Sequence, residues 1–328
     1  MKMFMRTFAR ASGVTIQVPV ILALISQVVA GSPVGFFHQK ARFAIRFDNY
    51  ISHHGVIGVF VLPGEKIELE AIDSDGEKKY VLRASGGDVT SRRNNKWLWQ
   101  APEEVGLYPV EISQTESGDC ITLNVFVMIP YDDLENGCLN GYRIGSYPDL
   151  ASHKKLPIRS PPRGFIEVTE ANEETLVAPH FRLKQFLCKQ DGGYPKYVVL
   201  KEQLLLKLEL ILEKINDKGY RCDTLHIMSG YRTPCYNGAI GNVKYSRHMW
   251  GSAADIFVDR DPKDGVMDDL NRDGLVDIRD AGVLYEIVDD VDCDSQYRCF
   301  VGGLGKYRQT TAHGPFIHVD VRGYRARW

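Results

Sequence analysis

The sequence predicts an all-β sandwich followed by an α+β domain, and three observations lead there. Between Phe47 and Pro130, six short runs rich in Val, Ile, Tyr and Trp are separated at close intervals by Gly, Pro, Asp and Asn. Beyond residue 163 the apolar period changes to that of a helix, then returns to short strands. Residues 132–163, between the two, are rich in Asp, Gly, Ser and Pro, the composition of a connecting segment laid on a surface. A chain of 328 residues is comfortable for two domains, and 44% hydrophobic residues supply core material for each. The net charge of −2, with no basic run carrying interleaved aromatics, sets nucleic-acid binding aside.

The first 30 residues read as a secretory signal peptide. Lys2, Arg6 and Arg10 make a positive start, and Val14 to Val29 is apolar apart from Thr15, Gln17, Pro19, Ser26 and Gln27. Val28-Val29-Ala30 then offers small residues for cleavage. The alternative is an uncleaved anchor, but this run falls short of the roughly 20 residues that span a bilayer. No cysteine follows it, so no lipid anchor is indicated, and no later segment is long and apolar enough to cross a membrane. The expected location is therefore periplasmic or cell-envelope, with no membrane span after cleavage and residues 31–46 as a leader. Seven cysteines (120, 138, 188, 222, 235, 293 and 299) in an exported chain make disulfides plausible, and the odd number leaves one unpaired. Cys293 and Cys299, close together around a polar loop, are the best candidates for a bridge. No CxxC spacing occurs, so no cysteine is assigned to a metal.

Residues 47–131 hold the expected strands Ile57–Leu62, Lys66–Ile72, Tyr80–Ala84, Trp97–Gln100, Tyr108–Ser113 and Ile121–Ile129. Trp97-Leu98-Trp99-Gln100-Ala101-Pro102 and Gly106-Leu107-Tyr108 resemble the late strands of an immunoglobulin-like sandwich. No catalytic constellation lies here, so this domain reads as a spacer or binding module. Pro157 and Pro161-Pro162 punctuate the segment that follows. Val199 to Ile215 then repeats apolar residues at helical spacing, with Lys201, Glu202, Lys207, Glu209, Glu213 and Lys214 largely on the other side and Gly219 placed to cap the C-terminus. Its leucines are core. Leu225–Met228 is a short strand leading into Ser229-Gly230-Tyr231-Arg232.

Two later segments carry metal-ligating chemistry. In Ser246-Arg247-His248-Met249-Trp250-Gly251-Ser252-Ala253-Ala254-Asp255, a continuous helix would hold His248 and Asp255 roughly 10 Å apart. Full extension would give a separation on the order of 23 Å. Two ligands of one ion at about 2 Å each cannot be so far apart, so this segment can chelate only by folding back. Gly251 and the small residues after it permit that, and Asp255 opens a strand through Val258. In Phe316-Ile317-His318-Val319-Asp320-Val321-Arg322, alternation puts Ile317, Val319 and Val321 on one face and His318 on the other. Singly, each histidine is more often structural; jointly, His, Asp and His form a set that leaves a fourth position open, the mark of a catalytic zinc.

Ser246-x-His248-x-x-Gly251-x-Ala253-x-Asp255, the earlier Ser229-Gly230-Tyr231-Arg232-Thr233 and the terminal His318-Val319-Asp320 resemble the zinc D-alanyl-D-alanine carboxypeptidases. Their wider group includes murein endopeptidases and shares a hedgehog-like fold. Val301-Gly302-Gly303-Leu304-Gly305 before Phe316-Ile317-His318-Val319-Asp320 is most similar to the peptidase M-fifteen-like branch. The resemblance covers residues 164–328. After the all-β immunoglobulin-like sandwich, it implies an α+β zinc peptidase domain of hedgehog-like fold, with zinc on His248, Asp255 and His318. It also implies that Arg232 faces the site, where its guanidinium holds a substrate carboxylate or a developing oxyanion, the alternative being a structural salt bridge. The implied reaction is hydrolysis of amide bonds in peptidoglycan stem peptides or cross-links.

One departure matters. Many relatives carry an acidic general base three positions before the last histidine, and here that position is Pro315; the next is Phe316. His313 is the remaining candidate base, weighed against a plain loop histidine. Pro315 and Phe316 favour a rival reading, a non-catalytic zinc-containing cell-wall-binding protein; a peptidase of non-murein peptides is a third. Separately, Asp269, Asn271, Asp273, Asp277 and Asp280, with the Leu275 carbonyl and Gly274, follow the spacing of a calcium loop and resemble dockerin repeats, followed by a helix from Asp280 to about Val288. The alternative is a solvated acidic loop. Just upstream, Asp259, Asp261 and Asp264 offer a second set of carboxylates for another ion, though at irregular spacing.

Overall fold

Period-two burial organises the first half. In Lys66–Ile72 the apolar Ile67, Leu69 and Ala71 are buried while Lys66 and Glu68 are exposed, as a strand with one wet face requires. The computed structural model describes residues 40–73, 78–148 and 160–328; the expected signal peptide lies outside them. Nine strands form two sheets: β1 (Lys40–Phe47), β2 (Tyr50–His54), β3 (Val56–Val61), β4 (Lys66–Ile72), β5 (Tyr80–Ala84), β6 (Asp88–Arg92), β7 (Lys96–Gln100), β8 (Gly106–Gln114) and β9 (Cys120–Val127). Their orders are β2-β1-β4-β7-β6 and β3-β9-β8-β5. One core lies between the sheets, built on Trp99, Phe47, Ile45, Val110 and Leu123, with the Trp99 indole N–H donating to the Gly86 carbonyl at 2.9 Å.

Three features differ from the sequence expectation. The first sheet begins at Lys40, ahead of the expected start near Phe47. β2 and β6 are polar strands, β6 being exposed throughout, and carry no apolar alternation to read. Both lie at sheet edges, where pairing to one neighbour suffices and polar side chains discourage pairing with a second chain. An immunoglobulin-like sandwich is built of antiparallel strands, but here β3 runs parallel to β9, from Val56 opposite Thr122 to Val61 opposite Val127.

The helical repeat folds as α1 (Glu202–Asp217), with Leu204, Leu205, Leu208, Ile211, Leu212 and Ile215 in the second core. It starts later than Val199 because the Lys201 N–H is bonded to the Gly251 carbonyl and holds the chain extended there. Lys207 and Glu209, expected on its wet side, are buried. The helix is covered on that side as well, so each charge has a dedicated partner: Lys207 donates to Asp292 at 2.8 Å, and Glu209 accepts from the His180 backbone N–H at 2.8 Å. Phe60, Phe126 and Met128 of the sandwich share this second core, as do Leu139, Tyr142, Ile144 and Tyr147 from the connecting stretch. A five-stranded sheet then runs in the order His226–Ser229, Ala253–Phe257, Phe316–Asp320, Gly303–Tyr307, Ala326–Arg327, antiparallel except for the last pair. A short helix, α2 (Pro234–Ala239), follows Arg232, and α3 (Ile278–Cys293) packs on strand Gly303–Tyr307. The whole is a β-rich fold with few helices. Among the described residues no helix is long and apolar enough to cross a membrane.

All seven cysteines are free thiols, which corrects the expected Cys293–Cys299 bridge. Cys293 ends α3 and Cys299 sits in the 3-10 helix Ser295–Phe300, so helical turns replace the open loop that a short bridge would close.

Glu202 joins α1 to the sandwich, its carboxylate accepting the Phe60 N–H at 3.0 Å. Burial pushes this carboxyl up to about 7, against the lowering effect of its N–H donors. The folded state therefore holds the proton more tightly than the unfolded chain, and this group's stabilisation, complete below the unfolded value of 4.5, is lost as pH rises through about 7. Relative to a Glu202→Gln variant, the wild-type melting temperature should fall between about pH 5 and about pH 8. A difference that stays constant across that range would show that Glu202 is not desolvated.

Candidate metal centre

Strands Ala253–Phe257 and Phe316–Asp320 pair so that Asp255 lies directly opposite His318. Opposed residues on adjacent strands share a face, so register alone brings a carboxylate against an imidazole. His248 arrives from the 3-10 turn Arg247–Trp250, which Gly251 terminates in the left-handed conformation at φ +59°. A side chain at Gly251 would put its Cβ 2.2 Å from the Val199 carbonyl oxygen, so both the backbone angle and the close approach require glycine. This reversal provides the fold-back that chelation demands. Beneath it, the Tyr147 hydroxyl donates to the Met249 carbonyl at 2.9 Å and meets the Tyr231 hydroxyl at 3.0 Å, fixing the turn from the core side.

The three side chains are buried and their donor atoms converge. His248 Nε2 stands 3.2 Å from Asp255 Oδ1 and 3.2 Å from His318 Nδ1, and His318 Nδ1 is 2.9 Å from Asp255 Oδ1. A tetrahedral zinc holds such donors at about 2.0–2.2 Å, which sets them about 3.3 Å apart. The spacing and the two-imidazole, one-carboxylate chemistry fit zinc. Among the described residues, this is the only group of three acidic, histidine or cysteine side chains whose ligand atoms lie within 4.8 Å of one another.

An outer layer fixes how each ligand points. The Gly230 carbonyl accepts from His248 Nδ1 at 2.7 Å, leaving Nε2 as the inward nitrogen. His318 is turned the other way, with Nδ1 inward and Nε2 3.3 Å from Asp320 Oδ2. Asp320 is in turn held by the Gly303 N–H at 2.7 Å and the Arg322 Nε at 3.0 Å. Arg232 donates from Nη2 to the outer oxygen of Asp255 and from Nε to Ser229 Oγ at 2.8 Å. Burial holds His248 below the usual imidazole range, outweighing the attraction of Asp255. Burial would lower His318 too, but carboxylates on both of its nitrogens raise it. Burial alone would raise Asp255, yet the facing histidines keep it well below the carboxylate range.

The cluster lies in a cleft of about 960 Å³ that Arg232 and His313 also line. His313 is partly buried, its ring edge-on to Phe316 at 5.0 Å and its Nδ1 2.8 Å from the Gly314 carbonyl. Pro315 and Phe316 are buried, and Phe316 stacks on Tyr307 with ring centroids 4.7 Å apart. The sequence reading assigned no role to Asp320, Gly230 or Tyr147. Asp320 was visible as a polar residue two positions beyond His318 on the same strand face; Gly230 lay inside the Ser229–Thr233 motif but acts through its backbone carbonyl, and the Tyr147 hydroxyl comes from a stretch that reads as a connector.

The acidic loop at 269–280 is ordered by its own backbone. Asp269 accepts the N–H groups of Arg272, Asp273 and Gly274, and Asp273 accepts that of Leu275. Asn271 accepts the Asp273 N–H at 2.9 Å. Asp280 is fully buried, takes the N–H groups of Leu270, Asn271 and Asp277, and forms a capping box with Asp277 at the start of α3. Arg279 bridges Asp273 and Asp277. The helix that follows is α3, longer than the expected stretch to Val288.

A family model described as Peptidase M15 matches residues 179–283, which include Arg232, His248, Asp255 and the acidic loop. No curated protein matches the chain. Among solved structures, it is similar to the Lin-41 filamin domain at 16% identity over 26% of this chain and 93% of that one, with a TM-score of 0.17. It is similar also to the ZirS C-terminal domain at 13% identity over 37% of this chain and 88% of that one, with a TM-score of 0.18. Peptidases of the M15 family are zinc-dependent, and the match supports a metallopeptidase in the second half of the chain.

Carboxylates behind a ligating histidine set its orientation and basicity, and their loss costs metal affinity about 10–100-fold. Asp320→Asn should weaken zinc binding in that range, measured by competition with a chromogenic chelator, and His248→Ala should abolish stoichiometric binding. An Asp320→Asn protein that binds zinc as tightly as wild type would remove Asp320 from the centre.

Proposed function

We propose that the chain is an exported zinc peptidase that hydrolyses amide bonds of peptidoglycan stem peptides or cross-links, as a D,D-carboxypeptidase or endopeptidase. The reading rests on one observation above all: two imidazoles and a carboxylate, buried and at zinc-ligand spacing, open onto a cleft. The match to Peptidase M15 supports it, and the export signal read at 1–30 would carry the chain to the cell envelope. The reading includes a hedgehog-like peptidase fold for residues 164–328 after an immunoglobulin-like sandwich.

Zinc on His248, Asp255 and His318 would supply a Lewis acid that polarises the amide carbonyl and acidifies water. Arg232 orients Asp255 through its outer oxygen and is itself held by Ser229, and it lines the cleft, where its guanidinium would meet a substrate carboxylate or an oxyanion. In His313 the Nδ1–H bond to the Gly314 carbonyl makes Nε2 the basic nitrogen, suited to take a proton from the attacking water and return it to the leaving amine. The rival reading, a zinc-containing cell-wall-binding protein without catalysis, is favoured by buried Pro315 and Phe316, which fill the positions where relatives place their base.

Zinc-loaded protein incubated with intact sacculi and defined muropeptides should release peptide products. His248→Ala should release none, and His313→Ala should lose about 10²–10⁴-fold in turnover. No product from the wild-type protein under any metal condition would leave the binding reading; full activity in His313→Ala would place the base elsewhere.

The proposal extends to calcium in the loop of Asp269, Asn271, Asp273, Leu275, Asp277 and Asp280, supported by its oxygen spacing and by the Asp269 carboxylate folding over the Gly274 N–H. Millimolar calcium should raise the melting temperature of wild type and not of Asp269→Ala. Equal responses would assign the loop to Arg279, which already bridges two of its carboxylates.

A further inference from the structure

A cavity lined by charge of one sign draws ligands of the other. The chain carries a net charge of −2, yet the walls of the metal cleft do not share it. Lys189, Arg232, Arg247 and Arg322 line the cleft, against Asp255 as its one acidic side chain among the described residues. Asp255 is bonded to Arg232, and Asp320 to Arg322, so those two cations are answered from within. Lys189 is not. It is exposed and forms no ion pair with any described residue.

Lys189 also lines a second cavity. This groove of about 580 Å³ shares Lys189 and Tyr236 with the metal cleft, so the two adjoin at those residues. Arg143 lies in the same groove, exposed and again in no ion pair with a described residue. Asp191 is the one acidic side chain described there, and it pairs with neither cation. A single side chain holds the groove to the metal cleft. Gln190 accepts from Thr233 Oγ1, next to Arg232, at 2.6 Å, and donates from Nε2 to the Arg143 carbonyl at 3.0 Å. The far side is fixed as well, with Asn140 Nδ2 donating to the Tyr197 hydroxyl at 2.7 Å. Gly192 and Gly193 leave one wall as bare backbone, so a chain can lie close against it.

We propose that the groove is an anion subsite in which Lys189, aided by Arg143, holds a carboxylate of an acidic peptide whose amide is presented at the metal centre. The excess of cations selects an anion, which neither a neutral sugar ring nor an apolar side chain supplies. The shared wall selects a peptide, because one extended molecule then occupies both cavities while its amide meets the metal centre. Stem peptides carry free carboxylates along their length and fit that requirement. This rests on the peptidase reading and deepens it, by making a carboxylate remote from the scissile amide part of what the site recognises.

The test uses the zinc-loaded full chain and two stem-type peptides identical except for Glu or Gln at a residue remote from the scissile amide. Wild type should favour the Glu peptide through KM rather than kcat. Lys189→Gln should lower that preference about fivefold, the scale of one exposed ion pair. Arg143→Gln should lower it less, and Lys189→Arg should keep most of it. The preference should also shrink between about 0.01 M and about 1 M salt, as the screening length contracts from about 30 Å to about 3 Å. Calorimetric titration with versions of both peptides N-methylated at the scissile amide, and so uncleavable, separates the two readings. Lys189-dependent preference for the Glu analogue without any hydrolysis would keep the subsite and sink the peptidase. Hydrolysis with the same Glu-to-Gln ratio in wild type and Lys189→Gln would sink the subsite and keep the peptidase. Lys189-dependent binding of inorganic polyphosphate, with no preference between the two peptides, would assign the groove to phosphate and overturn the proposal.

Discussion

The second half of the molecule depends on the Asp320 carboxylate. One of its oxygens takes the Gly303 N–H and the Arg322 Nε, while the other stands behind the imidazole of His318. Its backbone carbonyl accepts the buried Lys207 ammonium, which also binds Asp292. One residue thus connects α1, α3, the strand before it in the sheet and His318 of the candidate metal centre. Arg322 and the facing histidine hold its carboxyl far below the usual range despite burial. An anion so committed does not migrate, and the orientation of His318 follows from it.

The sandwich is joined to this half through shared packing rather than through a spacer alone. Phe60 sits in the second core, and its N–H is answered by Glu202 at the head of α1. The Lys201 N–H binds the Gly251 carbonyl, so the start of α1 is tied to the turn that presents His248. The beginning of one helix is therefore fixed from two sides, by the sandwich and by the metal turn.

Much of this was legible in the sequence because it is local. The apolar period of α1, the period-two strands β4 and β7, and the requirement that the chain reverse between His248 and Asp255 all follow from short-range geometry. Arg232, at the end of a Ser-Gly-Tyr-Arg run, was placed near the centre by resemblance, and the structure puts it on the outer oxygen of Asp255. What sequence did not show is non-local. The burial of Lys207 and Glu209 depends on partners far away in the chain, as Asp292 and His180 are. β2 and β6 have no apolar period because edge strands need none. Tyr147 comes from a stretch that reads as a connector, and only the assembled core reveals that it supports the metal turn.

The three inward donors come from a 3-10 turn and from two different strands, and no two of them share a helical turn or a hairpin. The strand pairing that sets Asp255 against His318 joins residues 63 positions apart. An unfolded chain therefore offers no ready chelate, and a metal-binding free energy gained only on assembly is a folding free energy. Uptake of the ion at all three donors requires that sheet to be registered, so that a chain carrying metal there is by that fact a chain in which strands 63 residues apart have found each other.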